Sequence, residues 1–186
     1  MPPSVYRLTL VVLARLYLPL LLVACACRNT PQEPPSSGVG RSPPSAEKCP
    51  ADPSPGAAPL PRTLVRFIDA PGAATINAEV AAKRADTARG LMYRTSLAED
   101  AGMLFLMGPA HENVFWMQNT CIPLDMLFID DGGTIVGILE NVPILNTAPR
   151  TVGVPSTSVL EVNAGWSQRH GVRSGQKLMI SETGRL

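Results

Sequence analysis

Ten of the 34 residues from 28 to 61 are proline, and that run decides where this chain can fold. Glycine, serine and alanine fill much of the rest. Large apolar side chains are almost absent, so the stretch cannot bury enough surface to offset the entropy of ordering it. It reads as a disordered tether. Extended at about 3.1 Å per residue, it would reach up to roughly 100 Å. A folded domain is therefore expected only beyond it, over residues 62–186.

The segment before the tether has another character. Arg7 and Arg15 are followed by "LYLPLLLVAC". That apolar run is too short and too soon broken for a stable membrane-spanning helix. A charged start, an apolar stretch and small residues read as a secretion signal. Leu22-Val23-Ala24-Cys25 resembles a bacterial lipobox, so residues 1–24 are expected to be a lipoprotein signal peptide and Cys25 the lipidated residue. Two or more acyl chains there would give stable anchoring. By the sorting rule of the bacterial lipoproteins it resembles, Ala26 after that cysteine implies the outer membrane. The expectation is a lipoprotein of the bacterial cell envelope, with a lipid-anchored linker at 25–61 and the head in the periplasm or at the surface.

The head carries 11 Lys and Arg against 12 Asp and Glu, a net of −1 with histidine neutral. No basic stripe exists, so nucleic acid is not an expected partner. Four cysteines are present: Cys25, Cys27, Cys49 and Cys121. Only Cys121 falls in the head, and the set lacks the spacing of a disulfide framework or a metal site. An oxidising compartment would permit Cys27–Cys49 pairing without requiring it. Cys121 itself reads as a small apolar filler or a surface-near free thiol with no role.

Strand-like patterns dominate the head. "TLVRFIDA" (63–70) and "ATINAEVA" (74–81) alternate around Pro71-Gly72 and predict a hairpin. "DTARGLMYR" (86–94) predicts a helix of one or two turns capped by Asp86 or Thr87. "GMLFLM" (102–107) and "NVFWM" (113–117) are short apolar runs, the first ended by Gly108-Pro109. "PLDMLFID" (123–130) and "TIVGILENV" (134–142) flank Asp131-Gly132-Gly133, a hairpin turn signal. "SVLEVNAG" (158–165), a short helix at "GWSQRHG" and a last strand in "GVRSGQKLMI" complete the pattern. The predicted class is mainly β (α+β), a compact barrel-like domain with one or two short helices.

Period-two alternation isolates two carboxylates. Leu124, Met126 and Phe128 share one face, and Asp125 shares the other with Leu127 and Ile129. Glu161 likewise shares a face with Val159 and Asn163. Carboxylates among apolar neighbours need partners, and Arg89, Arg94 and Arg150 are available.

"RGLMYR" (89–94), "GMLFLM" (102–107), "FWMQNT" (115–120), "IPLDMLFID" (122–130) and "VLEVNAG" (159–165), in that order, resemble the domain of unknown function 192 family over roughly residues 64–181. The resemblance implies the fold and an envelope or secreted setting, and brings no established reaction. Gln118 stands where the family commonly has Lys.

Chemistry must then come from the residues. No GxSxG elbow, HExxH, P-loop or GxGxxG occurs, so no catalytic residue is assigned. His111 and His170 read as surface residues, and Asp130-Asp131-Gly132-Gly133 has too few oxygen ligands for a calcium loop. The constellation with most promise is Arg94, Trp116, Asn119, Thr120, Asp125 and Glu161: an aromatic ring beside convergent hydrogen-bonding groups. The expectation is a non-catalytic binding module for a glycan or other envelope component, glycan or protein, with no cofactor and no metal. The competing expectation for the same residues is a structural network, Arg94 pairing Asp125 or Glu161. Two alternatives are a carboxylate-dependent hydrolase of envelope polymers built on Asp125 and Glu161, and a copper-handling protein using Met92, Met103, Met107, Met117 and Met126.

Overall fold

The computed structural model describes residues 49–181. The expected signal peptide, the expected lipidation site Cys25, Cys27 and the tether up to residue 48 lie outside them. Among the described residues, no helix is long and apolar enough to cross a membrane.

Seven strands form one curled sheet: β1 (Arg62–Phe67), β2 (Thr75–Ala81), β3 (Ala101–Glu112), β4 (Leu124–Ile129), β5 (Ile135–Val142), β6 (Pro155–Asn163) and β7 (Leu178–Ile180). Their spatial order is β5-β4-β6-β3-β2-β1-β7. Both predicted hairpins are present, β1–β2 around a 3-10 turn at Pro71–Ala73 and β4–β5 around Asp131-Gly132-Gly133. A bridge between Thr134 and Lys177 joins the two ends of the sheet, so it curls into a half-barrel. This is the barrel-like, mainly β architecture expected.

One pairing is parallel, β2 with β3. Parallel neighbours need a crossover. Here it carries the helix α1 (Arg84–Arg89) and the loop from 90 to 100 across the outer face. That helix starts two residues before the expected stretch of 86–94 and ends at Arg89. Asp86 and Thr87 sit inside it rather than capping it, and Gly90 ends it with φ 51°. A Cβ at Gly90 would stand 3.1 Å from the Phe105 ring, so glycine there lets the helix end close on β3.

Two apolar layers line the sheet. The inner one includes Phe67, Leu104, Leu127, Ile129, Leu160, Val162 and Trp166 of the second helix, α2 (Trp166–Arg169). The outer one includes Leu91, Met103, Phe105, Met117, Leu124, Met126, Phe128 and Val159. All six residues of β4 are buried, because both of its faces are covered. Burying each large apolar side chain contributes about 1.5–3 kcal/mol.

Two sequence readings need correction. "GMLFLM" does not stop at Gly108-Pro109; β3 runs on to Glu112 through an irregularity between Leu106 and His111, where it pairs with β6 on both sides. "NVFWM" is not a strand. It is a loop held by one bridge, Phe115 with Arg150, that lies over the outer layer.

The tether does not end free at residue 61. Cys49 is disulfide-bonded to Cys121, the two Cα atoms 5.5 Å apart. Cys121 is thus neither filler nor free thiol, and Cys49 is not left for Cys27. Asp52 pairs with Arg89, Leu60 packs on the outer layer and the Pro61 carbonyl accepts the Val80 N–H at 2.8 Å. Residues 49–61 form a strap along the head.

Candidate functional site

The outer layer leaves a cleft of about 230 Å³ between α1, β3 and the 113–120 loop. Its apolar walls include Leu91, Met92, Phe105, Met107, Phe115 and Trp116. Arg84, Thr87 and Arg89 stand on the α1 side, and Thr120 and Glu161 supply polar groups within. Trp116 is 52% exposed, the indole of a loop residue rather than of a strand.

Glu161 reaches the cleft from the centre of the sheet. On β6 it lies opposite Met103 of β3 on one side and Met126 of β4 on the other. Alternation sends all three side chains to the outer face. Glu161 is 4% exposed, and burial alone pushes its carboxyl up to about 8. No cation contributes, so the acid is predominantly protonated near neutrality. A protonated carboxyl both donates and accepts a hydrogen bond.

The other expected site residues divide. Thr120 lines the same cleft as Glu161, and its hydroxyl donates to the Gln118 carbonyl at 3.3 Å. Asn119 adopts φ 55°, a left-handed conformation asparagine tolerates. Its amide donates to the Tyr93 hydroxyl at 2.9 Å, and its carbonyl accepts the Tyr93 N–H at 2.8 Å. That reciprocal pair fastens the 113–120 loop to the segment after α1, so Asn119 builds the wall rather than the binding surface.

Asp125 is fully buried and faces the other way. Its Oδ1 accepts from the N–H groups of Asn141 and Gly165 at 2.9 and 3.0 Å, and its Oδ2 from that of Ser167 at 3.0 Å. It ties β4 to the end of β5 and to the start of α2. Neighbouring residues on a strand project to opposite faces. With Met126 opposite Glu161, Asp125 points into the inner side of the sheet. Asp125 and Glu161 therefore do not flank a common cleft.

Arg94 meets neither of those carboxylates. Its guanidinium donates two hydrogen bonds to Glu79, at 2.7 and 2.8 Å. The hydrogen bonds from Arg94 lead the causes that hold the Glu79 carboxyl below its ordinary value. Arg94 lines a second hollow of about 270 Å³, under the strap. Of the six residues, the structure brings together Trp116, Thr120 and Glu161, and separates Arg94, Asn119 and Asp125 from them.

Sequence reasoning missed the α1 side and the methionines as walls. The signal for the latter was present, since Met92 and Met107 flank the apolar runs. Met103, Met117 and Met126 are buried in the outer layer among Leu and Phe. Among the described residues no group of three or more His, Cys, Asp or Glu could hold a metal ion.

The family model described as "Uncharacterized ACR", the domain of unknown function 192, matches residues 67–180. The chain belongs to this family. Its match takes in α1, every strand of the cleft and the loop carrying Trp116. Two crystal structures are similar. A candidate transcription regulator from Sinorhizobium meliloti 1021 shares 38% identity, with TM-score 0.64, over 68% of this chain and 98% of that one. A protein of unknown function from Novosphingobium aromaticivorans DSM 12444 shares 32% identity, with TM-score 0.63, over 75% of this chain and 99% of that one. No curated relative matches the chain.

Proposed function

We propose that this protein is a non-catalytic binding module of the bacterial envelope, anchored through Cys25, whose outer-face cleft takes a glycan element. One observation carries the reading: a buried carboxyl without a protein charge partner, Glu161, lines a cleft beside the half-exposed Trp116. Aromatic faces bind the apolar side of a sugar ring, and a few fixed polar groups set its orientation. A single protonated acid with no second carboxylate across the cleft supports binding above hydrolysis, which needs two. The regulator label of the Sinorhizobium meliloti structure finds no electrostatic support here, because the head has a net of −1.

The test is retention of the full chain on insoluble envelope glycan. Trp116→Ala should abolish retention while the circular dichroism spectrum and unfolding midpoint stay unchanged. Full retention by that variant would end the reading. The anchor is tested separately: Cys25→Ser should release the protein from membranes, and persistent membrane association would refute it.

A further inference from the structure

Resting on that reading, the chemistry of the cleft narrows the ligand. We infer that the cleft recognises the acetamido group of an N-acetylated sugar, seated between Glu161 and Thr120, with the sugar ring against Trp116. Three features of the lining converge on that group.

The first is hydrogen bonding. Glu161 is more than nine-tenths buried and lines the cleft. In its protonated form it offers one O–H donor and one carbonyl acceptor. An acetamido group presents a carbonyl to accept the first, and its N–H or a neighbouring ring hydroxyl can donate to the second. Thr120 already spends its hydroxyl proton on the Gln118 carbonyl, so it has only lone pairs to offer and favours a ligand with a further donor.

The second is shape and polarity. The walls of the cleft that Glu161 lines are largely thioether and aromatic, with Met92, Met107, Phe105 and Phe115 among them. Thioethers adapt to small apolar groups, and the acetyl methyl is such a group. A bare hydroxyl at the same place would lose water without gaining contacts. A carboxylate or phosphate would have to sit against an acid that ionises as the pH rises.

The third is the position of Trp116. It is half-exposed, at the edge of the cleft rather than its floor. That geometry suits a ring whose substituent enters while the ring itself stays at the mouth. A peptide amide would use the same carboxyl but would have no ring for the indole to cover.

Protonation should govern this contact. The charged groups lining the cleft are Arg84 and Arg89 of α1, and Arg89 is paired with Asp52 of the strap. β3 and β4 bring Met103 and Met126 beside Glu161, and the 113–120 loop brings Trp116 and Thr120, none of which titrates. Glu161 is therefore the group expected to set the pH dependence of binding around pH 8.

The experiment uses the full chain in detergent and three probes: an N-acetylglucosamine trimer, the corresponding de-N-acetylated glucosamine trimer, and a short N-acetylated peptide amide. Tryptophan fluorescence reports the contact, since Trp116 is half-exposed and Trp166 is fully buried. The acetylated trimer should bind and shift the emission at pH 6, and binding should weaken about tenfold or more by pH 9. Glu161→Gln keeps a donor and an acceptor, so it should bind with no pH dependence over that range. Glu161→Leu should lose binding by about tenfold, the scale of one or two hydrogen bonds. Equal binding of both trimers would overturn the acetamido assignment and leave glycan binding standing. Preference for the peptide would overturn the assignment and the glycan reading together, as would no binding of any probe.

Discussion

Replacing Glu161 by Gln should make the head more stable, and increasingly so as pH rises. In the folded protein the Glu161 carboxyl sits at about 8, against 4.5 for the ordinary value that the unfolded chain restores. A group raised on folding favours the native state fully below its unfolded value. That advantage is lost progressively as pH climbs toward the folded one. At about 1.4 kcal/mol per pH unit, the loss reaches roughly 3 kcal/mol at pH 7 and levels off near 5 kcal/mol above pH 8. These are upper values, since a cleft that opens slightly would hydrate the carboxylate. Gln has nearly the same shape and no proton to lose, so the difference between variant and wild type isolates this one group. Urea unfolding at pH 5, 7 and 9 measures it. The two proteins should lie close together at pH 5 and separate steadily above. Parallel profiles across that range would refute the claim that Glu161 is folded in its neutral form.

Other consequences can be checked on the same instruments. Asp125→Ala would leave three backbone N–H groups without their acceptor, at about 1–3 kcal/mol each, so the head should lose at least roughly 3 kcal/mol or fail to accumulate; a loss below about 1 kcal/mol would contradict the latch. Cys121→Ser should destabilise the head by up to about 4 kcal/mol for a closure spanning 72 residues, lower the unfolding midpoint accordingly, and expose residues 50–61 to protease. An unchanged midpoint and digestion pattern would show that the strap holds without its covalent bond. Glu79 titrates in the opposite sense to Glu161, because Arg94 lowers it: its contribution is present above pH 4.5 and lost as pH falls through its depressed folded value. Glu79→Gln should therefore cost about 1 kcal/mol at pH 7, for a pair that is partly exposed, and nothing at strongly acidic pH.

Alternation along the strands carried most of the architecture. The faces assigned to Asp125 and Glu161 in β4 and β6 are those in the structure, because buried strands leave no freedom in a period of two. What alternation cannot express is which strand pairs with which. The parallel β2–β3 pair, and with it the placing of α1 over Phe105, depends on tertiary packing rather than on local pattern. The same limit explains Arg94. Sequence offered it two carboxylates, Asp125 and Glu161, and the partner it takes, Glu79, lies 15 residues upstream on β2, within reach only once the crossover is made. The "NVFWM" run misled because, although it is strand-like in composition, only its Phe115 and Met117 pack on the outer layer while Val114 and Trp116 stay half-exposed. The Cys49–Cys121 bond had no local signature at all, since one partner lies in a stretch whose composition argues against structure.

That bond also changes how the head would carry a load. Without it, a pull on the N-terminal side of the chain would enter at Arg62 and act on β1, a strand held by its pairing with β2 and β7. With it, tension is delivered at Cys121, on the connection leading into the fully buried β4. The strap from 50 to 61 is then mechanically slack. A protease cut within it would leave the head joined to Cys49 and the chain before it, and those pieces would part only once the bond was also reduced.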